Sequence, residues 1–191
     1  MVKIDDLRNE FSLPPLSQVG VVVRDVEKTA QFYSSLFGIG PFKIYEFTPD
    51  HYWYHGVETH FRQKQGKAML GEVELELMQP LEGPSPFMDF LKARGEGLQH
   101  IAFNVANYDE VYDRLVKAGF DPVLRVESWV DTYQGHLRAS CFDTERIGGV
   151  MFEIFFKSWL MHGWAALCGV ALCFLLDLPL NWVSLQSLIT P

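Results

Sequence analysis

Four polar residues stand at matching places in two similar stretches of the sequence. Gln18 opens the apolar segment QVGVVV, and His100 opens the segment HIAFNV. Glu76 and Glu153 are each the fourth residue of a segment rich in apolar side chains, VELELM and VMFEIF respectively. A carboxylate within an apolar strand is costly to bury unless it is paired or bound to a metal. We therefore treat the four residues as candidate ligands of one divalent metal ion.

The ligand types restrict the metal without identifying it. One imidazole, one amide and two carboxylates supply nitrogen and oxygen donors and no thiolate, which suits Zn, Ni, Co, Mn, Fe or Mg. Each residue alone also has a structural explanation, since His100 could be a hydrogen-bonded core histidine and Gln18 an ordinary amide at a strand end. Glu76, beside Glu74, could belong to a solvated sheet face. Both explanations stay open at this point, and the matching positions favour the metal.

The two stretches predict the same succession of secondary structure. QVGVVVRDVEKTAQFY and HIAFNVANYDEVYDRL each read as a strand, a turn and an amphipathic helix, with Asp25 and Asn107 as helix N-caps. Residues at helical spacing form an apolar stripe in each helix. They are Val26, Ala30, Phe32, Tyr33, Leu36 and Phe37 in the first helix, and Tyr108, Val111, Tyr112, Leu115, Val116 and Ala118 in the second.

Each half also has room for further strands, within residues 42–70 and 122–143, before its final strand. The predicted class is α+β, with two tandem βαβββ modules that form a curved mixed sheet around a metal-binding cleft. Along each final strand side chains alternate between faces. Glu74, Glu76 and Met78 would face the cleft, as would Met151, Glu153 and Phe155.

The predicted domain covers residues 16–157. Its modules are residues 16–81 and 99–157, and the bridge 82–98 contains a Pro-rich turn and a short helix. Residues 1–15 are an N-terminal extension without an apolar signal core. Residues 158–191 form a hydrophobic tail, in which a helix is predicted.

Three interpretations of the tail remain open. The segment 159–176 is almost wholly apolar, so it is either a membrane anchor, a hydrophobic helix packed on the domain or a partner, or an extension without a selected role.

The three cysteines form no Cys-x-x-Cys pair and suggest a reducing compartment. We expect a cytoplasmic protein, with membrane association through the tail as the alternative.

Charge argues against one class of partner. The formal net charge is −8, and no run of lysine or arginine occurs, so nucleic-acid binding is not expected.

The segment 45–61, YEFTPDHYWYHGVETHF, is rich in aromatic residues and histidine. It reads as a strand pair with aromatic cross-strand contacts or as the wall of a substrate pocket.

The sequence resembles the vicinal oxygen chelate superfamily, also called the glyoxalase/bleomycin-resistance/dioxygenase superfamily, over residues 16–157. LSQVGVVVRDVEKTAQFYSSLFGIGPF, VELELMQPLEGPSPFMDFLKARGEGLQHIAFNV and GGVMFEIF are most similar to segments of methylmalonyl-CoA epimerases. The resemblance implies one divalent ion held by Gln18, Glu76, His100 and Glu153, with Glu153 also catalytic. It implies an isomerase or lyase that abstracts a proton next to a carbonyl and stabilises the enolate. The expected substrate is a small carbonyl compound or a CoA or glutathione thioester.

Two departures keep other functions open. Epimerases usually have histidine where Gln18 stands, and the set of Gln, Glu, His and Glu resembles that of some zinc glyoxalases. A lactoylglutathione lyase is therefore one alternative, and a non-catalytic, drug-resistance-type binding protein is another. The epimerase resemblance also implies a second carboxylate base before Gly56, where Tyr54 and His55 stand instead. Both a monomer and a homodimer suit the resemblance.

Overall fold

A mixed sheet of ten strands runs through the described part of the chain, residues 12–131 and 134–158 of this computed structural model. Three helices accompany the sheet in that part of the chain. In chain order the elements are β1 (Gln18–Val22), α1 (Val26–Phe37), β2 (Lys43–Phe47), β3 (His51–Tyr54), β4 (Val57–Glu58), β5 (Arg62–Leu70), β6 (Val73–Glu82), α2 (Pro86–Arg94), β7 (Gly97–Asn104), α3 (Tyr108–Lys117), β8 (Pro122–Val130), β9 (Gly135–Phe142) and β10 (Met151–Lys157).

The strands follow one another across the sheet in the order β2-β5-β6-β1-β7-β10-β9-β8-β3-β4. β1 and β7 lie antiparallel at the centre, and each has a parallel neighbour, β6 for β1 and β10 for β7. The four adjacent strands β6, β1, β7 and β10 are the ones that carry Glu76, Gln18, His100 and Glu153. The topology therefore brings together strands that are far apart in the sequence.

The alternation predicted for the final strands is confirmed. Leu75 and Leu77 of β6 pack with Val26 and Ala30 of α1 on the outer face of the sheet. Met78 belongs instead to the inner core, as do Met151 and Phe155 of β10. The inner core also contains Val22, Tyr52, Phe61, Phe87, Ala102, Val123, Leu124, Val126, Ala139 and Cys141.

The helices lie where they were predicted, but the capping of α3 and the burial of α1 differ from the prediction. Asp25 caps α1 by accepting a hydrogen bond from the Lys28 backbone N–H, whereas Asn107 makes no side-chain capping bond to α3. The stripe predicted on α1 is only half buried, because Phe32 and Phe37 remain 55% and 62% exposed. Their rings contact each other at 5.8 Å between centroids instead of packing on the sheet.

The aromatic segment contains the antiparallel pair of β3 and β4, in line with the strand pair predicted there, but its position in the sheet was not predicted. The prediction put two strands within residues 42–70, but the structure has four there, because β3 and β4 are inserted between β2 and β5. β3 pairs with β8, at the opposite side of the sheet from β2. The link between β2 and β3, residues 48–50, spans four Cα steps and at most about 14 Å. The two sides of the sheet must therefore lie close to each other where β2 is joined to β3. The sheet accordingly curls into a half-barrel.

The predicted N-terminal extension lies almost entirely outside the described residues, and so do the hydrophobic segment 159–176 and the helix expected there. Within residues 12–131 and 134–158, no helix has the length and apolar character needed to cross a membrane.

Candidate functional site

The candidate ligands occupy two neighbouring rows of the inner sheet face. Gly20 is the pairing partner of both Glu76 and His100, so these three residues form one row across β6, β1 and β7. Gln18 and Glu153 are both paired with Ala102 and belong to the next row. All four predicted residues therefore lie on neighbouring rows of the four central strands.

His100 is completely buried, and the missing side chain of Gly20 makes room for its ring. A Cβ atom at Gly20 would lie 2.0 Å from Cε1 and 2.3 Å from Nε2 of His100. The His100 Nδ1 atom donates to Oε1 of Gln99 at 2.8 Å, while Nε2 of Gln99 donates to the Met151 sulfur at 3.1 Å. This chain of contacts fixes the imidazole orientation and directs Nε2 of His100 into the site.

Two carboxylates face that nitrogen. Oε2 of Glu153 lies 3.3 Å and Oε2 of Glu76 lies 3.7 Å from Nε2 of His100. Nε2 has no hydrogen-bond partner although it is buried. Donor atoms that face one another in a buried space need a proton or a bound cation between them. Ligand atoms bound to one Zn²⁺ at about 2.1 Å stand about 3.0–3.5 Å apart, so the spacing is close to that of ligands sharing an ion.

Glu76 divides its two oxygens between two neighbours. Oε1 lies 2.9 Å from Nζ of Lys67, while Oε2 faces His100. Burial alone would raise the pKa of Glu76, but the positive charges of Lys67 and His100 outweigh it and hold this pKa below its usual value. Glu76 is therefore ionised at neutral pH.

Glu153 has the opposite electrostatic character. Burial raises its pKa, and the nearby negative charge of Glu76 adds to the effect, although His100 offsets part of it. Its side chain is 13% exposed, against 5% for Glu76 and 0% for His100. The Cys141 thiol lies 3.5 Å from Oε2 of Glu153 and donates to it. Of these three side chains, Glu153 is the most accessible.

The side chains are not already arranged around an ion. Among the residues that the structure describes, no three histidine, cysteine, aspartate or glutamate side chains are spaced as a ready-made metal site. One oxygen of Glu76, Oε1, is in contact with the ammonium group of Lys67, and the other faces His100. The donor types, the unpartnered nitrogen of His100 and the two short distances nevertheless fit a divalent ion.

Sequence reasoning missed Lys67 and Gln99, which contact the candidate ligands directly. Lys67 had a detectable signal, because Gln63, Gln65 and Lys67 recur at every second position of β5 and form a polar row on its inner face. Gln99 had none, since its role depends on the position of Met151, 52 residues further along the chain.

The model of the Glyoxalase/Bleomycin resistance protein/Dioxygenase superfamily matches residues 17–140. The mitochondrial methylmalonyl-CoA epimerase of Homo sapiens is 34% identical over 98 residues, which are 51% of this chain and 49% of the human protein. The uncharacterized protein YqjC of Bacillus subtilis is 32% identical over 90 residues, or 46% of this chain and 55% of that protein. The alignments thus span about half the length of these relatives.

Solved structures share the fold. Methylmalonyl-CoA epimerase from Streptomyces coelicolor, in complex with 2-nitronate-propionyl-CoA, superposes with a TM-score of 0.54 at 22% identity, over 77% of this chain and 99% of that one. The epimerase from Mycobacterium tuberculosis gives a TM-score of 0.53 at 22% identity, over 80% and 95% of the two chains. The family match, which covers more than half of the chain, confirms the resemblance seen in the sequence: this chain belongs to the Glyoxalase/Bleomycin resistance protein/Dioxygenase superfamily.

Proposed function

We propose that this chain is a metal-dependent isomerase of the methylmalonyl-CoA epimerase type, which removes a proton next to the carbonyl of a CoA thioester. The observation that carries the proposal is the cluster around His100, whose buried Nε2 atom has no hydrogen-bond partner and lies 3.3 Å from Oε2 of Glu153 and 3.7 Å from Oε2 of Glu76. Lys67 and His100 keep Glu76 ionised against the effect of burial, whereas burial raises the pKa of Glu153, so the two carboxylates differ in their affinity for a proton. The similarity to epimerases supports the choice of substrate class.

The residues proposed to hold the ion are Gln18, Glu76, His100 and Glu153. A divalent ion bound there would supply positive charge to stabilise the oxygen of an enolate. His100 would bind through Nε2, since Gln99 holds its Nδ1 proton. Gln18, as a neutral ligand, would leave more positive charge on the ion than a third carboxylate would.

Glu153 is the proposed base. It is the most exposed of the three close side chains, and only its Oε2 atom faces His100. The Cys141 thiol, whose own pKa is raised by burial, stays protonated and orients one oxygen of Glu153. The other oxygen is then free to accept the substrate proton.

We also propose that residues 16–157 form the catalytic domain from two duplicated βαβββ modules. In the first half the strand order across the sheet is β2-β5-β6-β1, and in the second half it is β7-β10-β9-β8. In the proposed modules β2, β5, β6 and β1 correspond to β8, β9, β10 and β7. The second half therefore has the same strand order as the first, in the opposite direction across the sheet. The antiparallel pairing of β1 with β7 would be the junction between the modules. The hairpin of β3 and β4 would be an insertion into the first.

Exchange of the substrate α-proton for deuterium tests the proposal. The wild-type protein, loaded with a divalent metal, is incubated with methylmalonyl-CoA in D2O, and the loss of the α-proton signal is followed by NMR. We expect metal-dependent exchange, and a decrease of about 10²–10⁴-fold in Glu153→Gln, as for loss of a general base. Glu46→Gln is the matched control, because Glu46 is an exposed carboxylate that pairs with Arg62.

Two results would replace the proposal. Turnover of the methylglyoxal–glutathione adduct without exchange of methylmalonyl-CoA would indicate a lyase of the glyoxalase type. Exchange that proceeds equally in Glu153→Gln and in the control would show that this carboxylate is not the base.

A further inference from the structure

Lys67 is a cation placed among the candidate metal ligands. It lies on β5 as the direct pairing partner of Glu76 on β6, so the two side chains share the inner face of the sheet. Its Nζ atom lies 2.9 Å from Oε1 of Glu76 and 3.4 Å from Oε1 of Glu74. The side chain is only 19% exposed, and solvent therefore screens these contacts poorly.

The position of Lys67 gives the site a positive charge of its own. Glu74, Glu76 and Glu153 bring up to three negative charges into this part of the sheet, and the ammonium group of Lys67 contacts two of them directly. Buried carboxylates of like charge are strongly destabilising unless a cation compensates them. Lys67 therefore serves the folded chain in the way that a bound cation would.

We propose that Lys67 is a built-in counterion, which competes with the divalent ion for Glu76 and thereby sets the metal affinity of the site. The inference rests on the proposed metal-dependent function. Glu76 is shared between the ammonium group and His100, so an ion bound beside His100 must draw on a carboxylate that is already half committed. The two cations would also repel each other, because charges a few ångströms apart interact strongly at the low effective dielectric of a protein site.

Removal of the charge tests the proposal with two readouts that do not depend on turnover. In Lys67→Gln an amide donor remains but the positive charge is lost. Isothermal titration with Zn²⁺ should then show binding at least about tenfold tighter than in the wild type. Thermal unfolding should show a lower melting temperature without metal, since Glu74 and Glu76 lose their counterion, and a larger increase on addition of Zn²⁺.

Two further variants isolate the charge of Lys67. Lys67→Arg keeps the positive charge, so its Zn²⁺ affinity should stay within about threefold of the wild type. Lys64→Gln is the matched control on the same strand, because Lys64 points to the outer face and pairs with Glu27 at 2.6 Å. Its metal affinity should equal that of the wild type.

The outcomes separate this inference from the proposed function. If wild type and Lys67→Gln bind Zn²⁺ equally well, the inference is wrong and the metal site stands. If neither chain binds Zn²⁺, Co²⁺ or Mn²⁺, the metal-dependent function fails, and the inference fails with it. If Lys67→Gln does not fold even with Zn²⁺, the inference is again wrong, because the ion should replace the missing charge.

Discussion

The close approach of His100 to Gly20 makes the candidate site sensitive to a single methyl group. In Gly20→Ala the new Cβ would stand 2.0 Å from Cε1 of His100, whereas carbon atoms in contact are about 3.5 Å apart. The ring must therefore move by about 1.5 Å. It has little freedom to do so, since Gln99 holds Nδ1 and the ring of Phe87 lies 5.9 Å away between centroids.

Two measurable losses follow from this displacement. Overpacking of a buried site costs about 1–3 kcal/mol, which lowers the melting temperature of a chain of this size by about 2–12 °C. A shift of about 1 Å in a catalytic group can cost about 10²-fold in rate, and His100 would move further than that. We expect Gly20→Ala to lose at least tenfold in Zn²⁺ affinity and about 10²-fold in α-proton exchange.

Gly97→Ala is the matched control. Gly97 begins β7, the strand that carries His100, but a Cβ there would meet nothing closer than Phe90 Cζ at 3.7 Å, an ordinary contact. Thermal unfolding, Zn²⁺ titration and exchange should therefore change little in this variant. If Gly20→Ala matched Gly97→Ala in all three measurements, the ring would not occupy the space above Gly20, and the geometry described for the site would be wrong.

Two other buried groups give predictions outside metal binding. Burial raises the pKa of Tyr108 to about 12, so its contribution to stability is complete below pH 10, the ordinary pKa, and is lost as the pH rises through 12. The difference in unfolding free energy between wild type and Tyr108→Phe should therefore shrink by up to about 3 kcal/mol between pH 10 and pH 12. Thermal unfolding at several pH values measures this difference. A difference that stays constant with pH would contradict the raised pKa of Tyr108. Cys141 is buried, and burial raises the pKa of its thiol. Iodoacetamide at pH 8 should therefore leave Cys141 unmodified in the native protein and alkylate it after unfolding. Mass spectrometry of the peptide that contains Cys141 measures the modification. Rapid labelling of native Cys141 would show that the inner core is open.

Local patterns were sufficient where a residue's role depends on its own strand or helix. The alternation of Leu75, Glu76 and Leu77 placed the carboxylate on the inner face, because a strand directs successive side chains to opposite sides. Asp25 was predicted as a helix cap and is one. Such features depend on backbone periodicity and on neighbours within a few residues, so they can be predicted from sequence.

The pairing of distant strands could not be predicted in the same way. A strand pair was predicted in the aromatic segment, but nothing in its sequence indicated that β3 pairs with β8, about 70 residues further along the chain. The exposure of Phe37 likewise depends on how much of the sheet α1 covers, which the helical pattern does not specify. Burial and pairing are properties of the assembled sheet.

By itself the sequence determined which faces of the final strands turn inward and indicated the superfamily. Only the tertiary structure decided that Glu76, His100 and Glu153 approach one another, and that Lys67 and Gly20 stand beside them. The physical reason is that a strand's own chemistry sets which face a side chain occupies, whereas the register between strands sets its neighbours. The charge balance and the space within the site arise from that register.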